Sequence, residues 1–78
     1  MRQTTKQKAE QCNKLAFNIE VLRIMRGTTP ERCATAMGVS VSTFYRKRSN
    51  PQDFTFGDLQ ALANLWNTTV PHLLEGGV

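Results

Sequence analysis

PERCATAMGVSVSTFYRKRS, residues 30–49, decides how the rest of the chain is read. Pro30 to about Met37 has helical spacing, and Thr29-Pro30 opens it with a hydroxyl N-cap and a proline at the first turn, where its missing N–H costs nothing. Gly38-Val39-Ser40 then makes a tight turn, and Ser40 caps a further helix over Val41 to Ser49 that Asn50-Pro51 closes. Two short helices joined by three residues must cross closely. The crossing needs a small side chain on the first helix and a glycine in the turn, and Ala34 and Gly38 supply them. Cys33, Met37, Val39 and Phe44 fall where the pair buries apolar groups. The second helix keeps Val41, Ser42, Thr43, Tyr45 and Arg46 for another face, followed by the basic cluster Arg46-Lys47-Arg48. Such a face fits the major groove of duplex DNA: short polar side chains let the backbone approach base edges, and an arginine can bond guanine O6 and N7 together.

Working outward, a first helical pattern runs from about Lys6 or Glu10 to Arg26 and stops at Gly27, a residue that accepts positive φ. Residues 50–54 read as a loop. Thr55-Phe56-Gly57-Asp58 has the form of a capping box with aspartate in place of the usual Glu or Gln, and predicts a fourth helix over about 56–66. Thr69 caps a short last helix through Leu74, released at Gly76-Gly77. No stretch alternates with period two, so the fold class expected is all-α with five helices. Leu59, Leu62, Ala63, Leu65, Trp66, Val70, Leu73 and Leu74 recur at helical spacing and read as core, not as a ligand box.

The chain has 78 residues, enough for one small domain. A hydrophobic share of 40% supports a core, and 21% charged residues argue against wholesale disorder. No apolar run is long enough for a membrane span or an export signal, and two cysteines do not make a disulfide scaffold, so a reducing, cytoplasmic setting is expected. Cys12 and Cys33 are widely spaced with no partner histidine nearby, and His72 stands alone, so neither a metal site nor a cofactor is expected. Catalytic constellations of paired carboxylates, Ser/His or phosphate-loop type are absent, which argues against an enzyme. The net charge of +4 is unevenly distributed. Residues 1–50 hold all ten Lys and Arg against three acids, a balance of +7, and the remainder carries −3. Such polarity suits a polyanion on one side.

The segments IEVLRIMRGTTPE, CATAMGVSVSTFYR and FTFGDLQALANLWNTTVPHLL together resemble the Cro/phage-repressor (XRE) family of helix-turn-helix regulators. The resemblance implies a five-helix, lambda-repressor-like DNA-binding domain over about residues 13–76, preceded by a basic segment at 1–12 that extends helix 1 or stands apart from it. By the family's pattern the base-reading positions fall on Val41, Ser42, Thr43, Tyr45 and Arg46, and the phosphate contacts around Thr29 at the start of helix 2 and in the loop after helix 3; in this chain Thr29, Ser40, Lys47, Arg48 and Asn50 are expected to hold phosphates. Three departures stand out. Pro30 occupies the place of a glutamine that commonly touches phosphate. Lys47 stands where an apolar residue is usual, its stem expected to snorkel over the core edge. Arg48 and Arg23 occupy the positions of a Glu–Arg pair, so that pair is lost and Arg48 is expected to point at phosphate.

Helix 1 carries two apolar stripes. Leu15, Ile19 and Leu22 form one, and Phe17, Val21 and Ile24 another roughly opposite. The second stripe either packs on another subunit or on the basic N-terminal segment, or is covered by helix 5 within the monomer. The resemblance thus implies a sequence-specific double-stranded-DNA-binding transcriptional regulator, a homodimer associated with the nucleoid. About four phosphates per subunit would give a salt slope near −7. The alternative is a protein-interaction module, an antitoxin-like or anti-regulator partner built on the same fold, which the Phe17/Val21/Ile24 stripe favours.

Overall fold

The computed structural model describes the backbone of residues 2–75 and the side chains of residues 14–75. Within them the chain is all-α: α1 (Arg2–Met25), α2 (Pro30–Met37), α3 (Val41–Ser49), α4 (Phe56–Leu65) and α5 (Val70–Glu75), with a single 3-10 turn at Pro51–Asp53 and no strand. The expected helix release at Gly76-Gly77 lies outside the described residues. Among those residues, no helix is long and apolar enough to cross a membrane.

Serine and threonine hydroxyls set each helix start after α1. Thr29 Oγ1 accepts from the Arg32 N–H at 3.1 Å and Ser40 Oγ from the Thr43 N–H at 3.2 Å. Thr55 Oγ1 accepts from Asp58 N and Asp58 Oδ2 from Thr55 N, both at 3.0 Å, so the capping box is complete with aspartate as its acid. At α5 the His72 N–H donates to Thr69 Oγ1 at 3.3 Å.

Three of the helix ends share one device. Gly27 (φ 63°), Gly38 (φ 74°) and Asn67 (φ 55°) each adopt the left-handed conformation. At each, the residue after it donates its N–H to the carbonyl five back: Thr28 to Arg23 at 2.9 Å, Val39 to Ala34 at 3.0 Å, Thr68 to Ala63 at 2.8 Å. This is the Schellman arrangement. Each left-handed residue is followed by one linking residue and then a hydroxyl cap (Thr29, Ser40, Thr69), so three connections take the same three-residue form. An alanine at Gly38 would meet no atom but would hold a strained φ.

The core joins Leu15, Ile19 and Leu22 of α1 to Cys33 and Ala34 of α2, Phe44 of α3, Leu59, Leu62, Ala63 and Trp66 around α4, and Val70 and Leu73 of α5. Here α1 packs on α5, and α2 on both α3 and α4. Ala34 is only 2% exposed, which permits the close approach of α2 to α3. Two polar links bind distant elements: the buried Asn18 donates to the Leu73 carbonyl at 2.7 Å, and Trp66 Nε1–H donates to Thr28 Oγ1 at 3.0 Å. Leu65 and Leu74 are only partly buried.

On α1 only one stripe is covered. Phe17 and Ile24 are 68% and 66% exposed and Val21 is half-buried. Helix α5 lies against α1 on the side of Leu15 and Asn18, so it does not cover Phe17 or Ile24. The helix is 24 residues, about 36 Å, and starts at Arg2, earlier than apolar periodicity suggests. Residues 2–12 continue its axis and therefore do not fold back over the stripe.

Candidate nucleic-acid interface

Nine residues make α3, and only Phe44 among them is fully buried. With Phe44 as the anchor, helical spacing turns Ser42, Tyr45, Arg46 and Ser49 to one outward face, and all four are exposed. Tyr45 is 40% exposed. The other two candidate base-reading residues sit on the flanks: Val41 packs against the core edge, and Thr43 Oγ1 accepts from Ser40 Oγ at 3.0 Å within the cap. Ser49 joins this face without having been singled out by the sequence, although its i, i+4, i+7 relation to Ser42 and Arg46 carries the signal. The Arg46 guanidinium makes no ion pair among the described residues.

The five candidate phosphate residues are all engaged within the chain. Thr29 and Ser40 spend their oxygens as caps. Asn50 Nδ2 donates to the Arg46 carbonyl at 3.3 Å, and its backbone N–H bonds the Arg46 and Lys47 carbonyls, closing α3.

Lys47 and Arg48 require corrections. The Lys47 side chain is only 13% exposed, and its ammonium does not snorkel to solvent: it pairs with Asp58 of the α4 capping box. Arg48 is not left without a partner either. It pairs with Glu20 of α1, whose carboxylate accepts from Arg48 Nη1 at 3.2 Å and from Arg23 Nη2 at 3.0 Å. Arg23 also donates to the Thr28 carbonyl at 3.0 Å, tying the triad to the α1–α2 turn. Arg48 further lies 5.0 Å from the Tyr45 ring centroid and 5.9 Å from that of Phe44.

Both acids stay ionised at neutral pH. Burial pushes the Glu20 carboxyl up, but the Arg23 hydrogen bond and the charges of Arg48 and Arg23 outweigh it and hold it below its ordinary 4.5. Burial likewise opposes ionisation of Asp58, and the hydrogen bonds it accepts from Lys47 and from the Thr55 N–H outweigh it, keeping the group below 3.8. The basic end of α3 is thus two-thirds neutralised from within, and Arg46 is its one uncompensated cation among the described residues.

A second basic locus escaped sequence reasoning. Arg26 and Arg32 line a cleft of about 430 Å³ together with Gly27, Thr28, Thr29, Leu65 and Trp66, beside the start of α2. Arg26 Nη1 donates to the Trp66 carbonyl at 2.6 Å, which fixes the guanidinium without cancelling its charge. Arg32 makes no ion pair among the described residues. Its place near the α2 N-terminus, two residues beyond Pro30, was the available signal.

Cys33 is a core residue whose thiol burial pushes up to about 11, so it is unsuited to metal or nucleophilic chemistry. Among the described residues no group of three or more His, Cys, Asp or Glu is placed to hold a metal ion. Set against family models, curated proteins and solved structures, the chain matches none of them.

Proposed function

We propose that the chain is a sequence-specific double-stranded-DNA-binding transcriptional regulator of the Cro/phage-repressor type, with α2 and α3 as its helix-turn-helix and α3 as the helix that enters the major groove. One observation supports this above others: Ser42, Tyr45 and Arg46 share the outward face of a short helix whose opposite side is fixed by Phe44, and Arg46 has no counter-charge among the described residues. An arginine bidentate to guanine contributes roughly 1–3 kcal/mol of discrimination against other bases. Arg46→Ala is therefore expected to weaken the preferred duplex by that amount and unrelated duplexes far less, measured by fluorescence anisotropy with the helical circular dichroism unchanged. Equal losses on both duplexes would remove Arg46 from base reading.

The regulator would act as a homodimer in the cytoplasm, at the nucleoid. Support for the dimer comes from α1, where Phe17 and Ile24 stay exposed on the side opposite the buried stripe while Val21 lies half-buried between them. Phe17→Glu with Ile24→Glu touches no core contact and is expected to leave the helical signal intact while lowering the sedimenting mass to that of a monomer. A well-folded variant of unchanged mass would rule this stripe out as the interface.

The same exposed stripe favours the second reading, a protein-interaction module of antitoxin-like or anti-regulator kind. The two part at Arg46: a module that binds protein through α1 is indifferent to Arg46→Ala, whereas a DNA reader is not.

A further inference from the structure

Glu20 is an anion set against the basic end of the proposed DNA-reading helix, an unfavourable place for a carboxylate in a protein that approaches phosphates. It reaches 28 residues along the chain to Arg48 and provides the ion pair between α1 and α3. Arg48 in turn covers the Tyr45 ring at 5.0 Å, while the Phe44 ring meets Tyr45 at 6.1 Å and a 52° tilt. Phe44 is wholly buried in the core. The contacts therefore run in one line, from the α1 carboxylate through the guanidinium to the aromatic side chain on the outward face of α3.

We propose that Glu20 is a positioning residue for DNA recognition: it clasps Arg48 over Tyr45, presenting the tyrosine in one orientation and withholding the Arg48 charge from phosphate. The inference rests on the DNA-binding reading. Two consequences follow from the geometry. Tyr45 meets a base edge with its ring already ordered, so less side-chain entropy is lost on binding. Arg48 adds nothing to non-specific attraction, because its charge is spent on Glu20 until something displaces that carboxylate. Arg23 supports the clasp from the other side by holding Glu20 at 3.0 Å and keeping it ionised. The clasp thus favours discrimination over raw affinity.

Glu20→Gln keeps the size and removes the charge. Arg48 then becomes free to reach phosphate, one more per subunit and two per dimer. The plot of log affinity against log salt for duplex DNA is expected to steepen by about 2, so that between 50 and 200 mM salt the variant loses roughly tenfold more affinity than wild type. Discrimination between the preferred duplex and a scrambled one is expected to fall as non-specific binding rises. A merely structural glutamate would lower thermal stability and leave both quantities alone.

A second readout needs no DNA. Tyr45 is the sole tyrosine, so its ring-proton NMR signals are unambiguous, and the clasp predicts Arg48–Tyr45 cross-relaxation in wild type that is lost in Glu20→Gln. Arg48→Gln, the companion variant, is expected to lose the same ring order with the wild-type salt slope. Should wild-type protein bind no duplex at all, the DNA reading fails, and the NMR arm still decides the clasp. A folded Glu20→Gln with unchanged slope, discrimination and Tyr45 signals overturns the proposal. So does Arg48→Gln with wild-type ring order, which decides the matter even if the Glu20 variant does not fold.

Discussion

Phe44→Ala is expected to destabilise the protein by about 3–5 kcal/mol, read as a lower urea midpoint with an unchanged slope. Phe44 is wholly buried and is the single side chain of α3 in the core cluster. Truncating it removes a ring's worth of buried surface and leaves a cavity whose walls include the close-packed α2–α3 crossing at Ala34. A domain of this size has a total stability of roughly 4–12 kcal/mol, so the loss consumes a large part of it. The effect also bears on function. Phe44 determines which residues of α3 face outward and supports the ring of Tyr45, so the fraction that remains folded should bind the preferred duplex less tightly as well. A Phe44→Ala protein of wild-type stability would mean that α3 is not held through this contact.

The second large effect is on salt. Sequence counting assigns about four phosphates to each subunit, but the ion pairs of Lys47 with Asp58 and of Arg48 with Glu20 remove two of the cations counted. Arg26, Arg32 and Arg46 form no ion pair among the described residues. Three phosphates per subunit in a dimer give a slope of log affinity on log salt of about −5, shallower than the −7 expected from sequence. Between 50 and 200 mM salt the affinity should then fall by about three orders of magnitude. A slope near zero would contradict phosphate contact altogether, and one at −7 or steeper would mean that Lys47 and Arg48 leave their acids on binding.

What the sequence disclosed and what it hid follow from range. Caps and turns are local, so Thr29, Ser40, Thr55 with Asp58, and Thr69 were legible from residues three apart, as were the left-handed Gly27 and Gly38. Asn67 was missed because asparagine enters the left-handed region less often than glycine, yet Asn67-Thr68-Thr69 repeats Gly27-Thr28-Thr29 in form. The start of α1 was set too late because Arg2 to Lys8 carries no apolar periodicity, although five of its seven residues, the Arg, Lys and Gln, are good helix formers. Ion partners were the least legible. Lys47 finds Asp58 eleven residues on, and Arg48 finds Glu20 twenty-eight residues back, and nothing in their own neighbourhoods names those partners. A basic run read by itself looks like a solvated or phosphate-facing cluster, and only packing shows that two of its three charges are already matched.

That α3 reads duplex DNA is tested most directly by selecting bound sites from a pool of random duplexes with the purified full chain. The account predicts enrichment of one motif containing guanine, in two inverted half-sites about 10 base pairs apart centre to centre or a multiple of that, with the enrichment lost in Arg46→Ala. A pool that emerges unenriched after successive rounds, or a motif that Arg46→Ala recovers unchanged, would contradict it.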